Sequence, residues 1–325
     1  MKRKALVVGI DNYEKCPLTC CCNDAKTIAE LLRKNENGDP NFEVLELCNI
    51  NMKSELRSNI EKCFDGDVDV ALFYFSGHGF IDDLGGYLVT PDYKDKDWGV
   101  SLQDVLAIVN NSKIKNKIVI VDSCHSGFLG QIKLMGNSCS IIENGVTILT
   151  ACKSDEVAIE GEKEKHGIFT TLLIEALNGA AADILGRITT ASIYAYIDSN
   201  LGAWEQRPIF KTNISNFISV RDVKPRVEKE VLRETMQYFA MNDYSCQLDP
   251  SFEYTNNPEY KFEYVKPYAD KINTKKFKNL QKLVSVGLVV PEDEEHMYFA
   301  AMNSKRCKLT NIGKYYFKLV KNGKI

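Results

Sequence analysis

Two short polar segments follow apolar runs, and together they supply a histidine and a cysteine. The run "ALFYFSGHGF" ends around His78, and "IVIVDSCHSG" ends around Cys124, 46 residues later. A histidine beside a cysteine can take the thiol proton and leave a nucleophilic thiolate. The glycines around His78 would let the backbone N–H groups of Gly79 and Cys124 approach a developing oxyanion. The alternative is an ordinary core cysteine followed by a turn. His125 would point away from Cys124 on an extended segment and is not assigned a role.

The elements that must position these residues form an alternating pattern. Strand-like apolar runs alternate with amphipathic helical patterns up to about residue 215. This pattern predicts an α/β fold with a mostly parallel sheet covered on both faces, and sites in such folds form at the carboxyl ends of the strands. If the two strands are neighbours, His78 and Cys124 meet at one edge. Asp122, two residues before Cys124, would point to the same side as the cysteine.

The charge distribution indicates two parts with different roles. Residues 1–221 carry a net charge of −7 and residues 222–325 a net charge of +4. We interpret "SVRDVKPRVEKE" as a linker, which predicts domains at residues 1–221 and 226–325. The second domain is expected to hold a helix near Val227–Met241, a lysine-rich helix near Thr274–Val286, an acidic turn, two short strands and a final helix.

The composition limits the classes of protein to consider. The chain has eleven cysteines with irregular spacing, which favours free thiols in a reducing cytoplasm over a disulfide framework. "CPLTCCCND" has no second Cys/His cluster that would complete a zinc site. No apolar run reaches the roughly 18 residues of a membrane span, so no membrane partner is expected. His166 and His296 lie in polar stretches and are expected at the surface.

The motifs "YFSGHG" and "DSCHSG" resemble the histidine and cysteine motifs of the metacaspases and related bacterial caspase-like cysteine peptidases. "ALVVGIDNY", "CCCNDAKTIAELL", "ILTACKSDEVAIE" and "HGIFTTLLIEAL" are similar to other segments of that family, so the resemblance covers residues 3–215. It implies a caspase-like α/β/α sandwich and a cysteine endopeptidase with His78 as base and Cys124 as nucleophile.

The resemblance also implies a substrate pocket. Metacaspases and paracaspases cut after arginine or lysine and use acidic residues to bind that side chain. Asp24 and Ser76 match pocket positions, with Cys21 beside them, and Glu160 matches a pocket acid of the paracaspases. With Asp122, placed near the thiol by its spacing, these residues predict a cation site and cleavage after Arg or Lys. The alternative for Asp24 is a helix N-cap, and both roles are compatible.

No cofactor is expected to be required, although many metacaspases depend on calcium. The stretch after His78 offers five aspartates, namely Asp82, Asp83, Asp92, Asp95 and Asp97. The acidic residue that the family often places shortly after the cysteine motif is absent from "GFLGQIKLMG". Calcium dependence is therefore left open.

The C-terminal part has a second resemblance. "TKKFKNLQKLVSVGLVV" and "KLTNIGKYYFKLV" are similar to the recognition helix and closing segment of winged-helix domains, which implies a small α+β domain. Four lysines are expected to project from the helix, namely Lys275, Lys276, Lys278 and Lys282, while Phe277, Leu280, Leu283 and Val284 face the core. They suit phosphate contacts, but docking to a regulatory protein is the favoured interpretation, since few side chains there would read bases.

The leading hypothesis is a regulated endopeptidase for protein substrates with a basic P1 residue, the residue before the scissile bond. Compact caspase-like enzymes with an added domain resemble bacterial immune or cell-death effectors, which implies a role of the antiviral-defence type. The alternatives are a DNA-binding protein or a pure adaptor in which the caspase-like part is a sensor or scaffold.

Overall fold

A computed structural model divides the chain into two compact units, Met1–Lys224 and Pro225–Ile325. It describes residues 1–123, 132–134, 137–139, 142–151, 166–202, 207–215, 217–239, 241, 243–260 and 264–325, with backbone alone for 132–134 and 137–139. Cys124, His125 and Glu160 lie outside the described residues.

A six-stranded sheet forms the centre of the first unit. The described strands of this unit are β1 (Arg3–Gly9), β2 (Glu43–Cys48), β3 (Val70–Ser76), β4 (Gly79–Asp82), β5 (Gly85–Lys94), β6 (Asp97–Ser101), β7 (Asn116–Asp122), β8 (Ile132–Leu134), β9 (Asn137–Cys139), β10 (Val146–Thr150), β11 (Arg187–Thr189), β12 (Ile209–Asn213) and β13 (Ser219–Asp222). The order in the central sheet is β12-β10-β7-β3-β1-β2. Its neighbouring strands are parallel, except that β12 runs antiparallel to β10.

Helices cover both faces of this sheet. They are α1 (Cys21–Arg33), α2 (Lys53–Cys63), α3 (Leu102–Asn111), α4 (Ile168–Glu175) and α5 (Thr190–Asn200). Apolar residues of α2 and α3 pack on one face, and those of α1, α4 and α5 pack on the other. All seven residues of β3 are buried, because a strand with helices on both sides has no solvent face. The expected α/β/α sandwich with a mostly parallel sheet is confirmed.

Two segments of the first unit differ from the sequence prediction. In the sequence, a three-stranded antiparallel sheet, β4-β5-β6, lies between β3 and α3, where no strand was predicted. The start of the predicted linker is also wrong, because Ser219–Asp222 forms β13 and pairs with β11. The side chain of Arg221 donates to the carbonyl of Leu177 at 2.7 Å, which ties β13 to the first unit. The polar residues of β13 resemble a linker in the sequence, but they form hydrogen bonds with the first unit.

The second unit is a small α+β fold. Its described elements are α6 (Lys229–Met236), β14 (Ser245–Gln247), α7 (Lys271–Ser285), β15 (Val289–Pro291), α8 (Met297–Met302), β16 (Arg306–Leu309) and α9 (Asn311–Lys321). The strands form an antiparallel sheet in the order β14-β16-β15. Helix α7 begins after Asp270, whose carboxylate accepts the N–H of Ile272 at 2.9 Å and caps the helix. In the described part of the chain, no helix has the length and apolar character to cross a membrane.

Candidate active site

Three strands end together at the edge of the central sheet where His78 lies. Gly9 of β1 pairs with Ser76 of β3, and Ser76 pairs with Asp122 of β7. Beyond these pairs, the N–H of Gly77 donates to the carbonyl of Asp122 at 3.3 Å. The prediction that the strands before His78 and Cys124 are neighbours is confirmed.

The backbone of His78 is fixed on both sides of its Cα. Its N–H donates to the hydroxyl of Tyr13 at 3.1 Å, and its carbonyl accepts the N–H of Val89 at 2.9 Å. The rings of His78 and Tyr13 pack with centroids 4.5 Å apart. A Cβ at Gly77 would lie 2.7 Å from the Tyr13 hydroxyl, so the glycine before His78 makes this packing possible. Burial raises the pKa of Tyr13, which keeps its hydroxyl protonated.

The imidazole of His78 has a defined tautomer. Its Nε2 lies 2.7 Å from the backbone carbonyl oxygen of Cys16. A carbonyl oxygen can only accept, so Nε2 must carry a proton, and the lone pair of the neutral ring lies on Nδ1. His78 can therefore act as a base only through Nδ1. The Cys16 contact was missed at the sequence level, because a backbone carbonyl leaves no signal in residue types.

Asp11 caps the start of helix α1 at this edge of the sheet. The carboxylate of Asp11 accepts the N–H of Cys21 at 2.8 Å and that of Cys22 at 3.0 Å, which satisfies two free donors of the first turn. The side chain of Asn49 accepts the N–H of Asp11 at 2.8 Å. The alternative of Asp24 as N-cap is wrong, since α1 already starts at Cys21. Asp11 lies ten residues earlier in sequence, and only the fold brings it to the helix.

Asp24 instead points into the site from the first turn of α1. The residue is 1% exposed, and its Oδ2 accepts the hydroxyl of Ser76 at 2.9 Å. Cys21 is 5% exposed, and burial raises the pKa of its thiol, so the thiol stays neutral. Asp24 and Ser76 thus form a hydrogen-bonded pair, and Cys21 lies on the same turn of α1 as Asp24.

Asp122 receives a separate chain of hydrogen bonds. The hydroxyl of Thr170 donates to Asp122 Oδ2 at 2.7 Å, and the hydroxyl of Tyr74 lies 2.6 Å from that of Thr170. Since Thr170 donates its proton to Asp122, Tyr74 must donate to Thr170. Burial, together with the charges of Asp24 and Asp122, raises the pKa of Tyr74 and preserves this direction. Tyr74 and Thr170 were not predicted as site residues, because both also fit a plain apolar strand or helix.

The two aspartates converge beside Gly167. A Cβ at this position would lie 3.2 Å from Asp122 Oδ2 and 3.9 Å from Asp24 Oδ2. The two carboxylates therefore pack against the same glycine, which has no side chain to separate them. Gly167 and Thr170 belong to the segment "HGIFTT", which was compared with the family. Neither residue was predicted to contact the site.

His166 is not the surface residue that we expected. Its Nδ1 lies 2.8 Å from Asp24 Oδ1, and its side chain is 20% exposed. The side-chain amide of Asn23 lies 3.3 Å from the ring nitrogens of His166. His296, by contrast, is exposed as predicted. The contact of His166 with Asp24 could not be predicted from the sequence, because the two residues are 142 positions apart in the chain and the neighbours of His166 are polar.

Three more residues of the first unit were predicted to belong to the site, namely Gly79, Cys124 and Glu160. Gly79 opens β4 and pairs with Leu88 of β5. The description of the segment after β7 ends at Ser123, which is buried and directly precedes Cys124. The predicted nucleophile Cys124 and the predicted pocket acid Glu160 cannot be placed, since they lie outside the described residues.

Three of the five aspartates offered for calcium have other partners. Asp82 accepts the N–H of Leu84 at 2.8 Å within a turn, and Asp97 pairs with Lys53 at 2.6 Å. Asp92 accepts the N–H of Lys53 at 3.1 Å. In the described part of the chain, no three acidic, histidine or cysteine side chains converge on one point.

The predicted lysine face of α7 in the second unit needs one correction. Lys278 and Lys282 are exposed, and Lys275 is exposed with its Nζ 3.5 Å from Glu234. Lys276 does not project with them, because its Nζ lies 5.4 Å from the centre of the Tyr238 ring. Phe277, Leu280 and Leu283 are buried as predicted, whereas Val284 is half-buried.

Comparison with known proteins identifies the family. The sequence matches the family model described as the caspase domain over residues 2–216. No curated protein matches the sequence. A solved structure of caspase-1 from Spodoptera frugiperda is similar, with 14% sequence identity, a TM-score of 0.46 and coverage of 70% of this chain and 92% of that chain. Because the family model spans well over half of the sequence and includes both the histidine and the cysteine segment, the chain belongs to the caspase-domain family of cysteine peptidases.

Proposed function

We propose that the first unit is an endopeptidase that cleaves protein substrates after arginine or lysine, with His78 as base and Cys124 as nucleophile. The observation that supports the basic preference is the convergence of Asp24 and Asp122 beside Gly167. Both carboxylates lie at the sheet edge that also carries His78. Two carboxylates brought together at the carboxyl ends of parallel strands favour the binding of a cation.

The proposed reaction begins with the transfer of the Cys124 proton to Nδ1 of His78. The thiolate attacks the scissile carbonyl carbon, a C–S bond forms, and the N–H groups of Gly79 and Cys124 bind the oxyanion. The amine leaves with the proton of the imidazolium as the C–N bond breaks. Water then attacks the thioester, with His78 as base again, and the carboxylic acid product and free thiol result. The bond from Nε2 to the Cys16 carbonyl supports this sequence by keeping the lone pair on Nδ1.

The P1 side chain would bind between the two aspartates. An arginine or lysine pairs with Asp122 and Asp24, while Ser76 holds Asp24 in place and the neutral thiol of Cys21 lines the pocket. Glu160 is the third proposed acid. An aspartate at P1 would face like charges in a partly desolvated site, which costs several kcal/mol.

A panel of fluorogenic peptides that differ only at P1 tests this proposal. We expect hydrolysis of Arg and Lys peptides, and a kcat/KM at least about 100-fold lower for the Asp peptide, since each 1.4 kcal/mol is tenfold. The panel is measured with calcium and with a chelator, which also determines calcium dependence. Faster hydrolysis of the Asp peptide would contradict the pocket assignment.

We propose that the second unit is a winged-helix-like docking module for a regulatory partner with an acidic surface. The observation that favours this role is the exposed row of Lys275, Lys278 and Lys282 on α7, opposite its buried face. A protein partner is favoured, and nucleic acid is the alternative. The cytoplasm is the proposed location, and a bacterial immune or cell-death role is proposed from the family resemblance alone.

A gel shift of the full chain with duplex DNA at about 50 and 200 mM salt separates the two partners. Nucleic-acid binding through lysines would be non-specific and would weaken steeply with salt, because each phosphate contact releases counterions. The triple change Lys275→Glu, Lys278→Glu and Lys282→Glu should then abolish it. The triple change Lys318→Glu, Lys321→Glu and Lys324→Glu alters the net charge equally and is the control. We expect no shift at either salt; a salt-sensitive shift lost only in the α7 variant would establish the nucleic-acid alternative.

A further inference from the structure

His166 lies where an arriving basic side chain would have to bind. Its Nδ1 is 2.8 Å from Asp24 Oδ1, while Asp24 Oδ2 accepts the hydroxyl of Ser76. Each oxygen of the carboxylate thus already has a donor, and the Asp24 side chain is 2% exposed. A guanidinium that pairs with both oxygens of a carboxylate needs both to be accessible. Binding of a P1 arginine to Asp24 therefore requires that a donor leaves.

Of these two donors among the described residues, His166 is the more exposed and the one that we expect to move. Ser76 is a 2% exposed residue of a central strand that is paired on both sides, so rotation of its side chain would leave the hydroxyl inside the protein and could not carry it to solvent. His166 precedes the N-cap of α4, and its side chain is 20% exposed. Rotation about its side-chain bonds would carry the imidazole toward solvent, while Gly167 and α4 stay in place.

We infer that His166 is a built-in competitor of the P1 side chain, which occupies Asp24 in the free enzyme and must swing out before an arginine or lysine can bind. This inference rests on the proposed basic specificity of the same site. The imidazole can act as a surrogate because it donates a hydrogen bond to the carboxylate as a guanidinium does. Among the described residues, the titratable side chain that bonds it is Asp24, and the carboxylate of Asp122 lies beside the adjacent Gly167.

The competition has a measurable consequence for substrate affinity. When only a fraction of the molecules has an open pocket, the apparent dissociation constant equals the intrinsic constant divided by that fraction. If His166 bonds Asp24 in about 70–90% of molecules, its removal should lower KM for an Arg peptide about 3- to 10-fold. The value of kcat should change little, because the bond-breaking steps are assigned to His78 and Cys124, whereas His166 bonds Asp24.

The experiment compares wild type with His166→Ala, which removes the competitor, and His166→Lys, which makes it a permanent cation. We expect a lower KM in His166→Ala and a higher KM in His166→Lys with an Arg peptide. His296→Ala, at an exposed histidine of the second unit, is the matched control and should leave KM unchanged. Thermal unfolding of each variant verifies that the fold is intact.

A second measurement does not depend on catalysis. Calorimetric titration with benzamidine, a small amidinium cation, should show tighter binding to His166→Ala than to wild type, and benzamide, its neutral analogue, should not discriminate. If wild type cleaves Arg peptides but His166→Ala has an unchanged or raised KM, His166 supports Asp24 and the inference is wrong while the proposed function stands. If wild type cleaves no basic peptide, the proposed function fails, and the benzamidine titration still decides whether His166 closes a cation site.

Discussion

Replacement of Cys124 by alanine should reduce hydrolysis of an Arg peptide to background, and His78→Ala should reduce it by about 10²–10⁴-fold. The first change removes the atom that forms the thioester. The second removes the Nδ1 lone pair that the bond from Nε2 to Cys16 leaves free for the thiol proton. A cysteine thiol still ionises in part at neutral pH without a base, so His78→Ala should retain more activity than Cys124→Ala. The values of kcat/KM for both variants provide the measurement.

The chain offers a matched pair of controls for these two changes. Cys246→Ala and His296→Ala alter the same residue types in the second unit. Both should retain full activity. Near wild-type hydrolysis by either His78→Ala or Cys124→Ala, with an intact fold in thermal unfolding, would mean that another residue performs the chemistry.

The central sheet could be predicted from the sequence because its strands are buried on both faces. Such strands consist of continuous β-branched and aromatic residues, and the run that ends at Ser76 differs clearly from the amphipathic pattern of α1. The neighbouring position of β3 and β7 followed from the same reasoning. The antiparallel sheet after His78 was not predicted, because its short strands contain glycine, proline and aspartate residues that resemble a loop.

Site residues could be predicted only where a polar side chain lies at the end of a predicted strand. Ser76, Asp122 and His78 follow strands directly, so their common edge followed from the topology. Asp11 and His166 act on α1 over long distances in the chain, Asp11 as its cap and His166 through Asp24. A single sequence carries no signal for such pairings, because an aspartate after a strand and a histidine in a polar stretch are both common at surfaces.

Removal of a negative charge from the P1 pocket should strongly reduce the hydrolysis of basic peptides. Asp122→Asn should lower kcat/KM for an Arg peptide by about 10²-fold, since the loss of one partner of a buried ion pair costs about 3–5 kcal/mol and Asp122 is only half-buried. A peptide with citrulline at P1 keeps the shape of arginine without its charge. Its hydrolysis should change little, so the Arg/citrulline ratio should collapse in the variant.

This ratio separates the charge of Asp122 from its structural role. Asparagine keeps an oxygen that can accept the hydroxyl of Thr170, so the chain from Tyr74 through Thr170 survives the change. Damage to the fold or to His78 would slow both peptides equally, whereas loss of the carboxylate slows only the cationic one. Asp104→Asn, at an exposed carboxylate of α3 that pairs with Arg57, makes the same change in net charge and should leave the ratio intact. An unchanged Arg/citrulline ratio in Asp122→Asn would show that the charge of Asp122 does not select the substrate. The basic preference would then have to come from Asp24 and Glu160.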